Sequence, residues 1–122
     1  MGSPETNEKA LTAYADYLWQ QTQTVKDPVQ LVDRDAKAYL FGALARWKSN
    51  LPPNLSLGEH FFSLGCDADV LIKPSSVRAF LALCEKREQV FRNLPLELEF
   101  SMALSFDVPF IRRASQYWIQ LF

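Results

Sequence analysis

Apolar residues recur at helical spacing in the first stretch of the chain. From about Glu8 to Val25, the residues Leu11, Tyr14, Ala15, Leu18 and Val25 mark one face, and Gln20, Gln21 and Gln23 fill the other. This predicts a first helix, ended at Lys26-Asp27-Pro28 because proline disfavours helical geometry in the residue before it. Asp33 stands where it can cap a second helix running to about Lys48, with Ala36, Leu40, Ala43, Leu44 and Trp47 as its apolar stripe. The prolines of Ser49 to Ser56 predict a stiff loop, and Phe61-Phe62 between Gly58 and Gly65 reads as its anchor in the core. Ser75 or Ser76 can cap a third helix reaching about Arg92, in which Val77, Phe80, Leu81, Cys84 and Phe91 share a face. Asp107 and Pro109 open a last predicted helix whose stripe is Ile111, Ala114, Trp118 and Leu121.

One segment carries conflicting signals. Leu94, Leu96, Leu98, Phe100, Met102, Leu104 and Phe106 alternate with other residues, which is the period of a half-buried strand. Its composition argues the other way: it has no β-branched residue, is rich in Leu, Glu, Met and Ala, and places Pro95, Glu97 and Glu99 as a helix first turn would. With this segment read as a short buried helix, the expected fold is all-α, a small bundle of four helices plus an N-terminal helix. The alternative is α+β, the segment pairing with Asp69-Val70-Leu71-Ile72-Lys73 in a two-stranded crossover around the third helix.

The length of 122 residues suits one hydrophobic core. Residues 1–30 are assigned to a cloning remnant, Met1-Gly2-Ser3, and an extra helix, and residues 31–122 to the helical domain, within one folded unit. A net charge of -1 offers no positive field for a nucleic acid or an anionic membrane. No apolar run approaches the roughly 20 residues that span a bilayer. Two cysteines, Cys66 and Cys84, are too few for a disulfide framework and read as reduced thiols, so a soluble cytoplasmic protein is expected.

Candidate chemistry is sparse. Any Ser-His-Asp or Cys-His arrangement would have to use His60, the single histidine, which reads instead as a surface or loop-anchoring residue. His60, Cys66, Asp67 and Asp69 follow no recognised metal-ligand spacing. Asp67 with Asp69 and Glu97 with Glu99 are the close carboxylate pairs from which acid-base chemistry could start, and both read as loop and helix-end acids. The expectation is therefore a non-enzyme without a metal, acting through protein contact. Tyr14 and Trp19 lie on different sides of the first helix and cannot both face inward, so with Val77 and Phe80 they are the candidate partner-binding residues.

Asn54-Leu55-Ser56-Leu57-Gly58-Glu59-His60-Phe61-Phe62-Ser63-Leu64-Gly65-Cys66-Asp67 resembles the approach to the attachment site in phosphopantetheine carrier domains of polyketide and nonribosomal peptide synthases. Leu94-Pro95 and Phe106-Asp107-Val108-Pro109-Phe110-Ile111-Arg112-Arg113-Ala114 look like that family's third and fourth helices, so the likeness covers about Asp33 to Phe122. The resemblance implies a helical carrier that docks to enzymes of a biosynthetic multienzyme system, with 4'-phosphopantetheine on a serine. In the ungapped reading that serine falls on Ala68, which cannot be modified. With about ten extra residues allowed, Ser76 takes the position, at a helix start whose free amides suit a phosphate. The other function open to the chain is that of a free-standing helical adaptor or regulatory subunit, which dimerises or binds a partner through exposed aromatics.

Overall fold

The computed structural model describes residues 4–50, 53–60, 62–104 and 118–122, with no side-chain detail for residues 4–6. The chain runs through α1 (Pro4–Thr22), α2 (Lys26–Gln30), β1 (Lys37–Phe41), α3 (Ala43–Lys48), a 3₁₀ turn (Gly58–His60), β2 (Ala68–Lys73), α4 (Val77–Glu85), α5 (Arg87–Phe91), β3 (Leu98–Met102) and β4 (Ile119–Gln120). The strands form one mixed sheet in the order β3-β2-β1-β4. β1 is antiparallel to both β2 and β4, whereas β2 and β3 are parallel and are connected through α4 and α5. The fold is α+β, which overturns the expected all-α bundle.

Two expected helices gave way to strands for the same reason: alternation that can be buried against a neighbouring strand outweighs helix propensity. In β1, Ala38 and Leu40 are fully buried while Lys37 is exposed. β1 lies between β2 and β4, with Ala38 opposite Ile72 and Leu40 opposite both Val70 and Ile119. The expected second helix survives only as α3, after Gly42 breaks the chain direction at φ 89. Asp33 caps no helix there. It is buried and accepts hydrogen bonds from Ser75 N–H at 2.8 Å and Ser75 Oγ at 2.6 Å, tying the entrance of β1 to the exit of β2.

The alternating segment is likewise a strand over Leu98–Met102, where Leu98, Phe100 and Met102 register with Ala68, Val70 and Ile72. The expected last helix falls largely on 105–117, outside the described residues. Its remaining part, Trp118 to Phe122, contains β4 and not a helix. Pro28 lies within α2, early enough in the helix that its missing N–H leaves no intrahelical bond unmade. The third expected helix divides at Lys86 into α4 and α5. Leu83 and Val90 are the residues it buries, while Val77 and Leu81 remain 61% and 60% exposed.

One face of the sheet, carrying Ala38, Leu40, Val70, Ile72 and Leu98, joins Ala15 and Leu18 of α1, Val29 of α2, Leu83 of α4 and Val90 of α5 in a single core. Phe91 stacks on Phe100 at 4.4 Å between ring centroids and fastens α5 to β3. Strand alternation puts Lys37, Tyr39, Phe41, Asp69, Leu71, Lys73, Glu99 and Ser101 on the other face. Leu71 is buried there apart from the main core, and Tyr39 stacks with Trp118 at 5.0 Å.

Candidate functional site

Asp69 and Glu99 are nearest neighbours across the parallel β2–β3 pair. Asp67 lies just before β2, and its charge adds to that of Glu99 at Asp69. Opposed carboxylates normally destabilise a strand pair. Here they share a hydrogen bond, and the Asp69 carboxyl is pushed up to about 6, by burial first, then by the Glu99 charge and hydrogen bond, then by Asp67. Each cause acts in the same direction, and no cation among the described residues offsets them. Asp69 thus keeps its proton in mildly acidic water, because a half-buried carboxyl beside other acids ionises reluctantly.

The acid patch continues past the strand ends. Glu97 C=O accepts from Ala68 N–H at 2.8 Å, which draws Glu97 alongside the start of β2. Tyr14 Oη donates to Cys66 C=O at 2.7 Å, and its phenol is raised by burial and by the charges of Glu97 and Asp67.

Gly42 forms the wall opposite this patch. A Cβ at Gly42 would meet Asp69 Oδ2 at 2.9 Å, closer than real contacts of that kind, and the backbone there holds φ 89. Only glycine leaves that approach clear while adopting this conformation. The end of β1 and the start of β2 therefore sit close, with the Asp69 carboxylate packed where a side chain at residue 42 would stand, and β3 sets Glu99 beside it. Hard divalent cations favour carboxylate oxygens, and binding one would relieve the repulsion that lifts Asp69. Among the described residues, no group of three His, Cys, Asp or Glu side chains could by itself hold a metal ion. The arrangement fits a cation of the magnesium type, which takes one or two carboxylates and completes its shell with water and substrate oxygens.

Comparison of the chain with protein-family profiles, curated proteins and solved structures gave no match. The site is therefore read from its own residues.

Of the residues singled out in the sequence, Ala68 is fully buried as the first residue of β2, paired with Leu98. Ser76 is exposed and caps α4, its Oγ accepting from Ala79 N–H at 3.0 Å. It lines a cleft of about 440 Å³ together with Lys37, Lys73, Asp35 and Leu104. Tyr14 is half-buried, packed on Phe62 at 5.7 Å and on Tyr17 at 6.5 Å. Trp19 is half-buried beneath the Lys48 ammonium, 4.7 Å from its ring centroid. Phe80 is half-buried and Val77 exposed on α4. These six positions are not brought to one place.

His60 is 2% exposed, and Arg46 donates to its backbone carbonyl at 3.2 Å. Its Nε2 is buried with no hydrogen-bond partner. Burial and the Arg46 charge hold the imidazole below its ordinary value, with Glu59 opposing them. The carboxylate pairs were visible in the sequence, but the significance of Gly42 was not. The signal was there: an apolar run ending in glycine, followed later by Asp-x-Asp leading a second apolar run.

Proposed function

We propose that Asp69 and Glu99 hold a divalent cation next to Gly42, and that the chain uses it to act on a phosphate-bearing substrate. The observation that carries this reading is the carboxylate pair, offset by no cation among the described residues, with the Asp69 carboxylate lodged against Gly42, where there is no Cβ. The carboxylates are too few to close a protein cage, so oxygens from the substrate complete the shell. When bound, the cation supplies charge neutralisation and polarisation of a phosphoryl oxygen. The reaction class is metal-assisted phosphoryl or nucleotidyl transfer. Asp69 and Glu99 fix the position of charge, and the missing side chain at Gly42 leaves the Asp69 carboxylate its room.

The test is thermal unfolding with millimolar magnesium or manganese chloride, with and without a nucleoside triphosphate as probe. Each metal is expected to raise the midpoint by several degrees, since a ligand at a hundredfold its Kd contributes about 2.7 kcal/mol. Asp69→Asn should abolish the response. Wild-type protein indifferent to both metals, or an equal response in Asp69→Asn, overturns the proposal. Metal-dependent release of phosphate or pyrophosphate from the probe would identify the reaction.

A second reading keeps the chain as a non-catalytic module that docks an amphipathic helix of a partner, and the α4 surface favours it. Val77, Leu81 and Cys84 follow at i, i+4 and i+7, all exposed. If this stripe serves a partner, Leu81→Glu leaves the isolated chain's melting temperature unchanged. A large drop would mark Leu81 as internal packing and end the reading. A phosphopantetheine arm on Ser76 is not proposed, because the four-helix carrier fold gave way to a mixed sheet and the Ser76 hydroxyl serves as a helix cap.

A further inference from the structure

α2 and α5 pack against each other on one side of the sheet, where Val29 and Val90 enter the core. A cleft of about 460 Å³ opens between them, and all of its lining belongs to residues 27–32 and 86–94, within the described part of the chain. It lies on the side of the sheet away from Asp69 and Glu99 and shares no residue with that pair.

The two walls of the cleft are built alike. Leu31 N–H donates to Asp27 C=O at 3.0 Å and Val90 N–H to Lys86 C=O at 2.9 Å, so one helical turn sets an apolar side chain beside a charge on each wall. Val90 is 7% exposed and forms the floor, whereas Leu31 stands 88% exposed. Asp27 and Lys86 are of opposite sign, and among the described residues neither has an ion-pair partner. Gln89 and Asn93, four residues apart on the α5 wall, add two amides that can each donate and accept. A purely apolar ligand would leave these four polar groups to water. A molecule with an ammonium, a carboxylate and peptide groups between aliphatic side chains meets each of them with its complement.

We propose that the α2–α5 cleft binds a short aliphatic peptide with both ends free, its ammonium at Asp27, its carboxylate at Lys86, its peptide groups at Gln89 and Asn93, and its side chains on Leu31 and Val90. The volume falls within the range of small-ligand sites, about 300–1,000 Å³, and accommodates more than a single amino acid. The paired amides favour the same choice, since a lone amino acid has no peptide group to offer them.

The full chain is to be titrated with trileucine at neutral pH and followed by amide NMR spectra. Saturable shifts at residues 27–32 and 86–94 are expected, with a dissociation constant on the order of 1 mM, because the charged contacts are exposed. Acetylating the peptide's amine should weaken binding about two- to fivefold in the wild type and hardly at all in Asp27→Asn. Converting its carboxylate to an amide should do the same in the wild type and hardly at all in Lys86→Gln. Free leucine should bind at least about tenfold more weakly, having fewer side chains to bury. Asp27 and Lys86 are both exposed, so circular dichroism should report the same fold for each variant. No saturable shift with trileucine, or shifts confined to other parts of the chain, overturns the proposal. Capped and free peptides binding equally well, cap effects that persist in the matching variants, or leucine binding as tightly as trileucine would each overturn it too.

Discussion

Replacing Asp69 by Asn should make the metal-free protein more stable at neutral pH. Asp69 is raised from 3.8 to about 6 in the folded chain. A carboxyl whose folded pKa lies above its unfolded value binds more protons folded than unfolded, so its stabilising contribution is full below about 3.8 and disappears as pH rises through about 6. At about 1.4 kcal/mol per pH unit, the interval is worth about 3 kcal/mol before screening. Asp69 is only half-buried, and solvent screening reduces this to about 1 to 1.5 kcal/mol. Asn carries no charge and its amide can donate to Glu99 as the protonated acid does. Urea unfolding at pH 7.5 should show a gain of about 1 kcal/mol, a midpoint shift of about 0.7 M for an m-value of about 1.5 kcal/mol/M. At pH 4 the two proteins should nearly coincide. A variant less stable than wild type at pH 7.5, or a gain equal at both pH values, would falsify the claim that Asp69 and Glu99 repel each other without a compensating cation.

The neighbouring features give further expectations. Gly42→Ala should cost about 1–3 kcal/mol in urea unfolding, because φ 89 is strained for a side-chain-bearing residue and the new methyl meets Asp69 Oδ2. Combining it with Asp69→Asn should leave most of that cost, since Asn retains the bulk. Asp33→Ala should destabilise by about 2–3 kcal/mol through loss of the two bonds from Ser75, and Ser75→Ala by less, since its backbone N–H still donates. His60 is lowered in the folded chain, so its contribution is present above its unfolded value of 6.5 and lost as pH falls through its folded value. In the Asp69→Asn background, the protein with wild-type His60 should therefore lose stability as pH falls below 6.5, and His60→Leu should flatten that slope.

Helices that owe their shape to a single amphipathic face were legible in the sequence. The first helix was read from Leu11, Ala15 and Leu18, and Ala15 and Leu18 are fully buried in α1. Ser76 was read as a cap for the helix that begins at Val77, and it caps that helix. The strands were harder because β1 satisfies both periods. Ala36, Leu40, Ala43, Leu44 and Trp47 follow helical spacing, while the buried pair within β1 is Ala38 and Leu40. What decides between them is a partner strand nearly thirty residues away, and local propensity carries no information about that partner. The same holds for Leu98–Met102, whose lack of β-branched residues is offset by Val70 and Ile72 on the strand it pairs with.

The site followed the same rule. Asp67 with Asp69 and Glu97 with Glu99 were each visible as pairs, and each taken alone had a bland explanation as a loop or helix-end acid. Their chemistry arises only when a parallel register sets Asp69 beside Glu99 and the turn at Gly42 packs against Asp69. A helix over residues 94–106 would have sent these carboxylates to solvent. Folding the segment as a strand spends stability on bringing two anions together, and residues that cost stability in the empty protein are where a ligand of opposite charge has most to gain. The repulsion at Asp69 and the proposed preference for a cation there follow from one geometry, so a substitution that removes the first should remove the second.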